Sequence, residues 1–411
     1  MTVVATQHKT PIELSENERS FQREVREWLA ANAPAKLKGV RGRVLEPDLA
    51  HLRSGDLRET VLDWKSKLHK AGYMCVSWPR EYGGRGLTAV EVALLDEEFH
   101  RADVPRFTRG MGEMVVGPAI MAYGTEEQKA HFLPRIIDGT DLYCQGFTEP
   151  NAGSDLASLQ TAGVVEGDEI VVNGHKAWTP PEYWEANLIY CLCRTDPSEP
   201  RRHRGISLVL VPIKDNGVEF RPMKQATGES HFTEMFITGA RAPLFNVIGG
   251  LNNGWKVAMT TLSGERSRGA TTLYVRFEEQ LRRLVEEAKK RGKLSDVRVR
   301  EQLAWAYSNV EVLRMSGLLL LSALATEQDP GRGASGSVTK IRWSEYERRL
   351  GEIALDILGP EALVTGDNYE LSPWQFTFLE TRTHTIWAGT AEIQRNILAE
   401  RVLGLPKEPT R

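Results

Sequence analysis

Between residues 14 and 32 the apolar side chains Phe21, Val25, Trp28 and Leu29 return at steps of three and four, and Ser15 precedes Glu16-Asn17-Glu18 in the manner of a helix cap. That spacing predicts an amphipathic helix. The same period predicts helices over 58–71, 90–101 and 126–137, the last capped by Thr125, with a glycine-rich turn over 79–86 between the first two. Near Asp141 the texture changes. Runs over 169–173, 188–192 and 206–211 are rich in β-branched and apolar residues and are separated by Gly-Asp, Asn-Gly and proline-containing turns, which predicts an antiparallel sheet. Past 249–254 the helical period resumes over 255–262, 273–290, 299–325, 337–358 and 374–402. The charge run over 286–293 reads as a solvated helix end.

The order helices, sheet, long helices predicts an α+β protein: an N-terminal helical domain over 13–139, a middle antiparallel β domain over 140–247 and a C-terminal helical bundle domain over 248–405. Strands and helices do not alternate and no G-x-G-x-x-G follows a strand, which argues against a doubly wound nicotinamide-binding domain.

With 411 residues, 41% of them apolar, the chain has ample material for a buried core. Lysine and arginine number 52 against 55 acidic residues, a net charge of −3, so no global basic field recruits nucleic acid or anionic lipid. Four cysteines, Cys75, Cys144, Cys191 and Cys193, lie in apolar settings and suit a reducing compartment, and Cys191-Leu-Cys193 lacks the second pair that a zinc site needs. No metal is expected. Without a signal-peptide core or an apolar run near the roughly 20 residues of a membrane span, the expected location is cytoplasmic.

The run Tyr143-Cys-Gln-Gly-Phe-Thr-Glu-Pro-Asn-Ala-Gly-Ser-Asp155, followed by Asn173-Gly-His-Lys-Ala-Trp178, resembles the signature of the acyl-CoA dehydrogenase family, as does Ile386-Trp-Ala-Gly-Thr-Ala-Glu-Ile-Gln-Arg395. Trp78-Pro-Arg-Glu-Tyr-Gly-Gly84, Tyr123-Gly-Thr-Glu-Glu-Gln128 with Leu133-Pro134, and Gly254-Trp255 ahead of 262–266 match as well, in the family's order. The resemblance implies the family's fold, with a four-helix bundle at the C-terminal end, and FAD as cofactor. On its own, the loop from Thr148 to Ser154 reads either as a turn or as a cradle whose N–H groups suit a pyrophosphate or a flavin edge. Trp178 likewise reads as core or as a ring cover. The resemblance implies the second use of each: Phe147 and Thr148 at the pyrimidine edge of FAD, Ser154 at its phosphates and at the substrate, and Trp178 over the flavin ring. Thr390 and Glu392 would complete the site, and Gly359 is the remnant of a Gly-Gly pair.

The family reaction removes two hydrogens across Cα–Cβ of an acyl-CoA thioester, so it needs a carboxylate base as well as the flavin. In short- and medium-chain members the base directly precedes the Gly-Thr of the C-terminal motif, where this chain has Ala388. In isovaleryl-CoA and long-chain members the glutamate comes from an internal helix, and Leu262-Ser-Gly-Glu265-Arg266 supplies one at that place. Glu265 is therefore the expected base; by composition alone it would pair with Arg266 or Arg268. The backbone N–H of Ala388 and a flavin hydroxyl would polarise the thioester carbonyl, and Arg266 would lie near the adenine end of CoA or in a salt bridge.

Four departures stand out. Pro180 replaces a hydroxyl residue near flavin N5, so either Thr179 supplies that bond or the flavin edge is held differently, and the segment over 182–186 is one residue longer than usual. The family's Arg-x-x-Phe-Gly motif has no match between Arg268 and Asp296, and only Gly359 of the glycine pair remains. These contacts cross a subunit interface in the family, so a homotetramer or a mixed tetramer with a related chain is expected, with an electron-transfer flavoprotein as acceptor. A partner subunit with little activity alone and a flavin monooxygenase on the same fold are the competing readings. The acyl group expected is bulky, branched or polycyclic.

Overall fold

The computed structural model describes residues 14–39, 42–43, 46–47, 57–179, 185–268, 273–325 and 332–407, without the side chains of 42–43, 46–47, 263–268, 324–325 and 332–335. The chain divides into two compact units, one comprising Met1–Trp78 with Gly84–Phe107, the other Pro79–Gly83 with Thr108–Arg411.

In the first unit, α1 (Glu16–Asn32), α2 (Arg58–Lys70) and α3 (Ala89–Arg101) follow the predicted helices to within a residue or two. Ser15 and Glu18 cap α1 reciprocally, as Thr88 and Glu91 cap α3, satisfying N–H groups that a helix start leaves without partners. The apolar faces close over Val25, Leu29, Trp64, Leu68, Tyr73 and Phe99. Trp28 stacks on Trp64 at 5.3 Å, and the Trp64 indole N–H donates to the Pro105 carbonyl at 2.9 Å. Arg26 joins α1 to α3 by two 2.9 Å hydrogen bonds to the buried carboxylate of Glu98.

The second unit begins its helices with a π turn at Gly112–Val116 that runs into α4 (Gly117–Tyr123). Gly112, Gly117 and Pro118 erase the helical pattern there, and this helix was not legible from periodicity. Helix α5 (Glu126–Asp138) has Thr125 as its cap, as predicted. A seven-stranded sheet follows: β1 (Tyr143–Gly146), β2 (Ala162–Glu166), β3 (Glu169–Thr179), β4 (Leu188–Arg194), β5 (Ile206–Pro212), β6 (Val218–Met223) and β7 (Phe232–Pro243). Its pairings β2–β3, β3–β7, β7–β6 and β4–β5 are antiparallel; β4 also runs parallel to β1, with Ala162 of β2 continuing the same edge opposite Arg194. Strands β4 and β5 are buried along six consecutive residues each, which is why both read as unbroken apolar runs. Strands β6 and β7 carry the alternation of half-exposed strands.

Four long helices close the unit: α6 (Gly254–Arg268), α7 (Leu273–Lys290), α8 (Val297–Ala325) and α9 (Arg332–Leu358). The helix predicted over 374–402 is instead broken. Helix α10 (Pro373–Thr381) and α11 (Ala391–Ile397) are separated by a turn, and a π turn at Leu398–Val402 follows. The helical period persists in the apolar spacing, but Ala388 (φ +54°) and Gly389 (φ +83°) are both left-handed, a conformation no right-handed helix accommodates.

Helix α6 starts where only glycine fits, because a Cβ on Gly254 would lie 2.3 Å from the Ser207 carbonyl carbon and 2.4 Å from the Leu208 nitrogen on β5. Gly254→Ala is expected to push α6 off the sheet and cost about 1–3 kcal/mol or more, read from chemical denaturation.

Candidate active site

The loop leaving β1 is tied down from beneath. Phe147 stacks on Tyr190 of β4 at 5.4 Å, and Glu149 and Ala152 exchange backbone hydrogen bonds of 3.1 and 3.0 Å that close Pro150-Asn151 into a tight turn. The Glu149 carboxylate folds under the loop, where it accepts from the backbone N–H groups of Gln160 at 2.7 Å and Thr161 at 2.8 Å and from Lys176 Nζ at 2.9 Å. Lys176 is 0% exposed and also donates to the Phe147 carbonyl at 3.2 Å. Burial pushes the Glu149 carboxyl up, yet Lys176 and the hydrogen bonds from residues 160 and 161 more than offset it and hold the group below its ordinary range. One ion pair thus fixes both ends of the segment from 147 to 161.

The end of β3 lies against this loop, with the Ala177 N–H donating to the Thr148 carbonyl at 2.9 Å. The amide and hydroxyl of Thr148 have no hydrogen-bond partner among the described residues. The register on β7 slips between Lys176 and Thr179, and Trp178 takes φ +59°. This bulge turns Trp178 outward, 53% exposed, so the tryptophan is not core. Thr179 is buried and its hydroxyl donates to the Gln145 carbonyl at 3.3 Å, leaving that oxygen as an acceptor. Pro180 lies outside the described residues. Gly153 and Ser154 are exposed, and a Cβ on Gly153 would meet nothing within 4 Å.

A second cluster is the turn between α10 and α11. Ala388 is exposed there and its N–H makes no hydrogen bond among the described residues. Thr390 caps α11, its hydroxyl accepting from the Ile393 N–H at 3.1 Å, and Glu392 is exposed in the first turn. Behind the turn, Gln394 Nε2 reaches the Ala388 carbonyl at 3.3 Å and the Gly389 carbonyl at 3.5 Å, while its Oε1 accepts from the Ser337 hydroxyl at 2.7 Å. Lys340 Nζ donates to the His384 carbonyl at 2.9 Å, and the His384 ring bonds Glu347 at 2.8 Å. Glu347 is itself bound by Arg276. Burial lowers the Lys340 ammonium to about 8 against the opposing pull of Glu392 and Glu345.

Two sets of expected residues stand apart. Glu265 and Arg266 belong to α6, but their side chains lie outside the described residues. Gly359 (φ +64°) follows the last residue of α9, roughly 30 Å along that helix from Ser337 at 1.5 Å per residue. Within one chain it is not part of the Ala388 cluster; it ends a helix beside Arg291, which bonds the Leu358 carbonyl and Glu361.

An outward-facing tryptophan, a threonine whose amide and hydroxyl have no partner among the described residues, and an open Gly153-Ser154 turn fit a flat aromatic ring with a phosphate tail. Among the described residues no group of three or more His, Cys, Asp or Glu could hold a metal ion. No described helix is long and apolar enough to cross a membrane.

Family models agree with this arrangement: the acyl-CoA dehydrogenase N-terminal domain matches residues 15–140, the middle domain 144–239 and the C-terminal domain 252–403. The chain is 40% identical over 391 residues, 94% of its length and 98% of the relative's, to acyl-CoA dehydrogenase IpdE1 of Mycobacterium tuberculosis (strain ATCC 25618 / H37Rv). Among solved structures it is similar to the Tcur3481-Tcur3483 steroid ACAD (TM-score 0.78, 29% identity, 96% of this chain and 99% of that one). It is also similar to the ChsE4-ChsE5 complex from Mycobacterium tuberculosis (TM-score 0.77, 29% identity, 97% and 100%). The chain belongs to the acyl-CoA dehydrogenase family, a family of FAD-dependent oxidoreductases.

Sequence reasoning missed Glu149 and Lys176 as a pair, together with Ser337, Lys340, Glu347, His384 and Gln394. Glu149 and Lys176 stand within the quoted motifs, but no local spacing rule joins residues 27 apart. Lys176→Met is expected to leave the Glu149 carboxylate buried without its cation, costing about 3–5 kcal/mol in denaturant unfolding.

Proposed function

We propose that the chain carries out α,β-dehydrogenation of a bulky, polycyclic, steroid-derived acyl-CoA to its trans-2-enoyl-CoA. The observation that carries this reading is the turn at Ala388. The alanine there is left-handed and exposed, its N–H has no hydrogen-bond partner among the described residues, and it carries a methyl where a glutamate would bring a carboxylate. The base must then come from elsewhere, and Glu265 on α6 is the carboxylate at the alternative position. The steroid designation of the Tcur3481-Tcur3483 structure supports a polycyclic acyl chain.

The chain's own residues act as follows. The Ala388 N–H donates to the thioester oxygen, where negative charge develops as the α-proton leaves. Glu265 accepts that proton; closure of an apolar acyl chain over it removes water and raises its basicity. Phe147 and Thr148 would hold the pyrimidine edge of FAD, Thr148 through an amide and hydroxyl that have no partner among the described residues, and Thr179 would offer its hydroxyl oxygen. Trp178 covers the ring. Ser154, Thr390 and Glu392 complete the cofactor site, and Ser154 also meets the substrate, with Arg266 toward the adenine end of CoA. Bound FAD supplies the acceptor for the β-hydride and a second donor to the thioester oxygen. An electron-transfer flavoprotein would be the acceptor of the reducing equivalents.

A second chain of the same fold completes the site. Gly359 is too far along α9 to serve the Ala388 cluster of its own chain, and next to it Leu363, Val364 and Tyr369 are 88%, 69% and 86% exposed, a patch suited to a protein interface. The two-chain Tcur3481-Tcur3483 and ChsE4-ChsE5 neighbours support a mixed assembly.

Glu265→Gln is expected to keep FAD bound and to lose at least about 1,000-fold in the rate of flavin reduction, measured by anaerobic stopped-flow; substantial remaining turnover removes Glu265 from the role. Flavin per protomer in the chain purified alone tests the assembly: a deficit made good by the second chain supports it, and a full complement in a homo-oligomer contradicts the mixed form.

A further inference from the structure

Along one face of α9, Ser337, Lys340, Ser344 and Glu347 recur at steps of three and four, and all four are buried, at 1%, 3%, 0% and 0% exposure. A polar stripe inside a helical bundle is costly, since each group gives up water and apolar side chains of similar size would pack without that loss. Three of its members face the segment from His384 to Gln394. Glu347 takes the His384 ring, Lys340 the His384 carbonyl, and Ser337 the side-chain oxygen of Gln394.

Gln394 is itself 0% exposed, and its orientation follows from its neighbours. The carbonyls of Ala388 and Gly389 can only accept, so Nε2 faces them; the oxygen is left for the Ser337 hydroxyl, which donates. A Cβ on Gly389 would fall 2.4 Å from Gln394 Nε2, so the contact also requires glycine at 389. The Ala391 N–H closes the turn onto the Thr385 carbonyl at 2.9 Å.

We infer that Gln394, fixed by Ser337, is a positioning residue that locks the left-handed Ala388-Gly389 turn from behind and so aims the Ala388 N–H at the thioester oxygen, with Lys340 bracing the His384 side of the same turn. Fully buried, it acts through the backbone of residues 388 and 389. The inference rests on the proposed role of the Ala388 N–H.

The test uses the flavin-loaded protein, in its assembly, with acetoacetyl-CoA as probe. This thioester ionises to an enolate with its own ultraviolet absorption, and a donor on the thioester oxygen raises the enolate fraction at fixed pH. Gln394→Met keeps the volume and removes the donor; it is expected to lower the bound enolate fraction about tenfold while acetoacetyl-CoA affinity stays within about threefold and flavin content is unchanged. Ser337→Ala, which leaves Gln394 in place without its anchor, is expected to give a smaller loss in the same direction, and it decides the question if Gln394→Met fails to fold. Wild-type enolate fractions in a folded variant overturn the inference alone. A wild-type protein that holds flavin yet never stabilises the enolate overturns both the role of Ala388 and this inference.

Discussion

A left-handed alanine followed by a left-handed glycine does not hold itself: the non-glycine residue alone costs on the order of 1–3 kcal/mol, and the conformation persists only where its surroundings impose it. At Ala388 the surroundings are the amide of Gln394, the Lys340 contact at His384 and the cap at Thr390. The rest of the C-terminal architecture follows from that requirement. Helices α10 and α11 must stop on either side of the turn, and α9 must present polar groups where a bundle helix would ordinarily present leucine.

The same logic operates in the β-sheet region. The Glu149–Lys176 pair lies beneath the loop between β1 and β2, where charge is expensive to bury, and each partner is satisfied by further hydrogen bonds. Because Lys176 comes from β3 and the loop begins at β1, the pair joins the strand that carries Trp178 to the loop that carries Thr148. The positive φ of Trp178 is a second strained residue held in this way. Trp178 and Ala388 are thus two strained positions, each backed by a buried polar network.

How much of this could be read from the chain divides along the reach of the interactions. Helices α1, α2, α3 and α5, the caps Ser15 and Thr125, and the doubly buried strands β4 and β5 are written in local periodicity and were legible. Helix α4 was not, since Gly112, Gly117 and Pro118 interrupt the pattern, and the break at Ala388 was hidden because the apolar spacing runs through it unchanged. Side chains within the motifs Tyr143 to Asp155, Asn173 to Trp178 and Ile386 to Arg395 were found by resemblance. The residues that hold those motifs were not, because Lys176 and Glu149, or Ser337 and Gln394, are 27 and 57 positions apart and meet only through the fold. Trp178 shows the value of the structure in the other direction: a lone tryptophan in a strand reads as core until the bulge exposes it.

The proposed reaction removes a proton and a hydride from adjacent carbons of an acyl-CoA. Anaerobic addition of a steroid side-chain acyl-CoA to the flavin-loaded assembly measures it most directly. The expected result is bleaching of the flavin band near completion at one equivalent per site, with a product lighter by two hydrogens. A flavin that stays oxidised without oxygen, or a product that has gained oxygen once air is admitted, would contradict it and favour monooxygenase chemistry on the same fold.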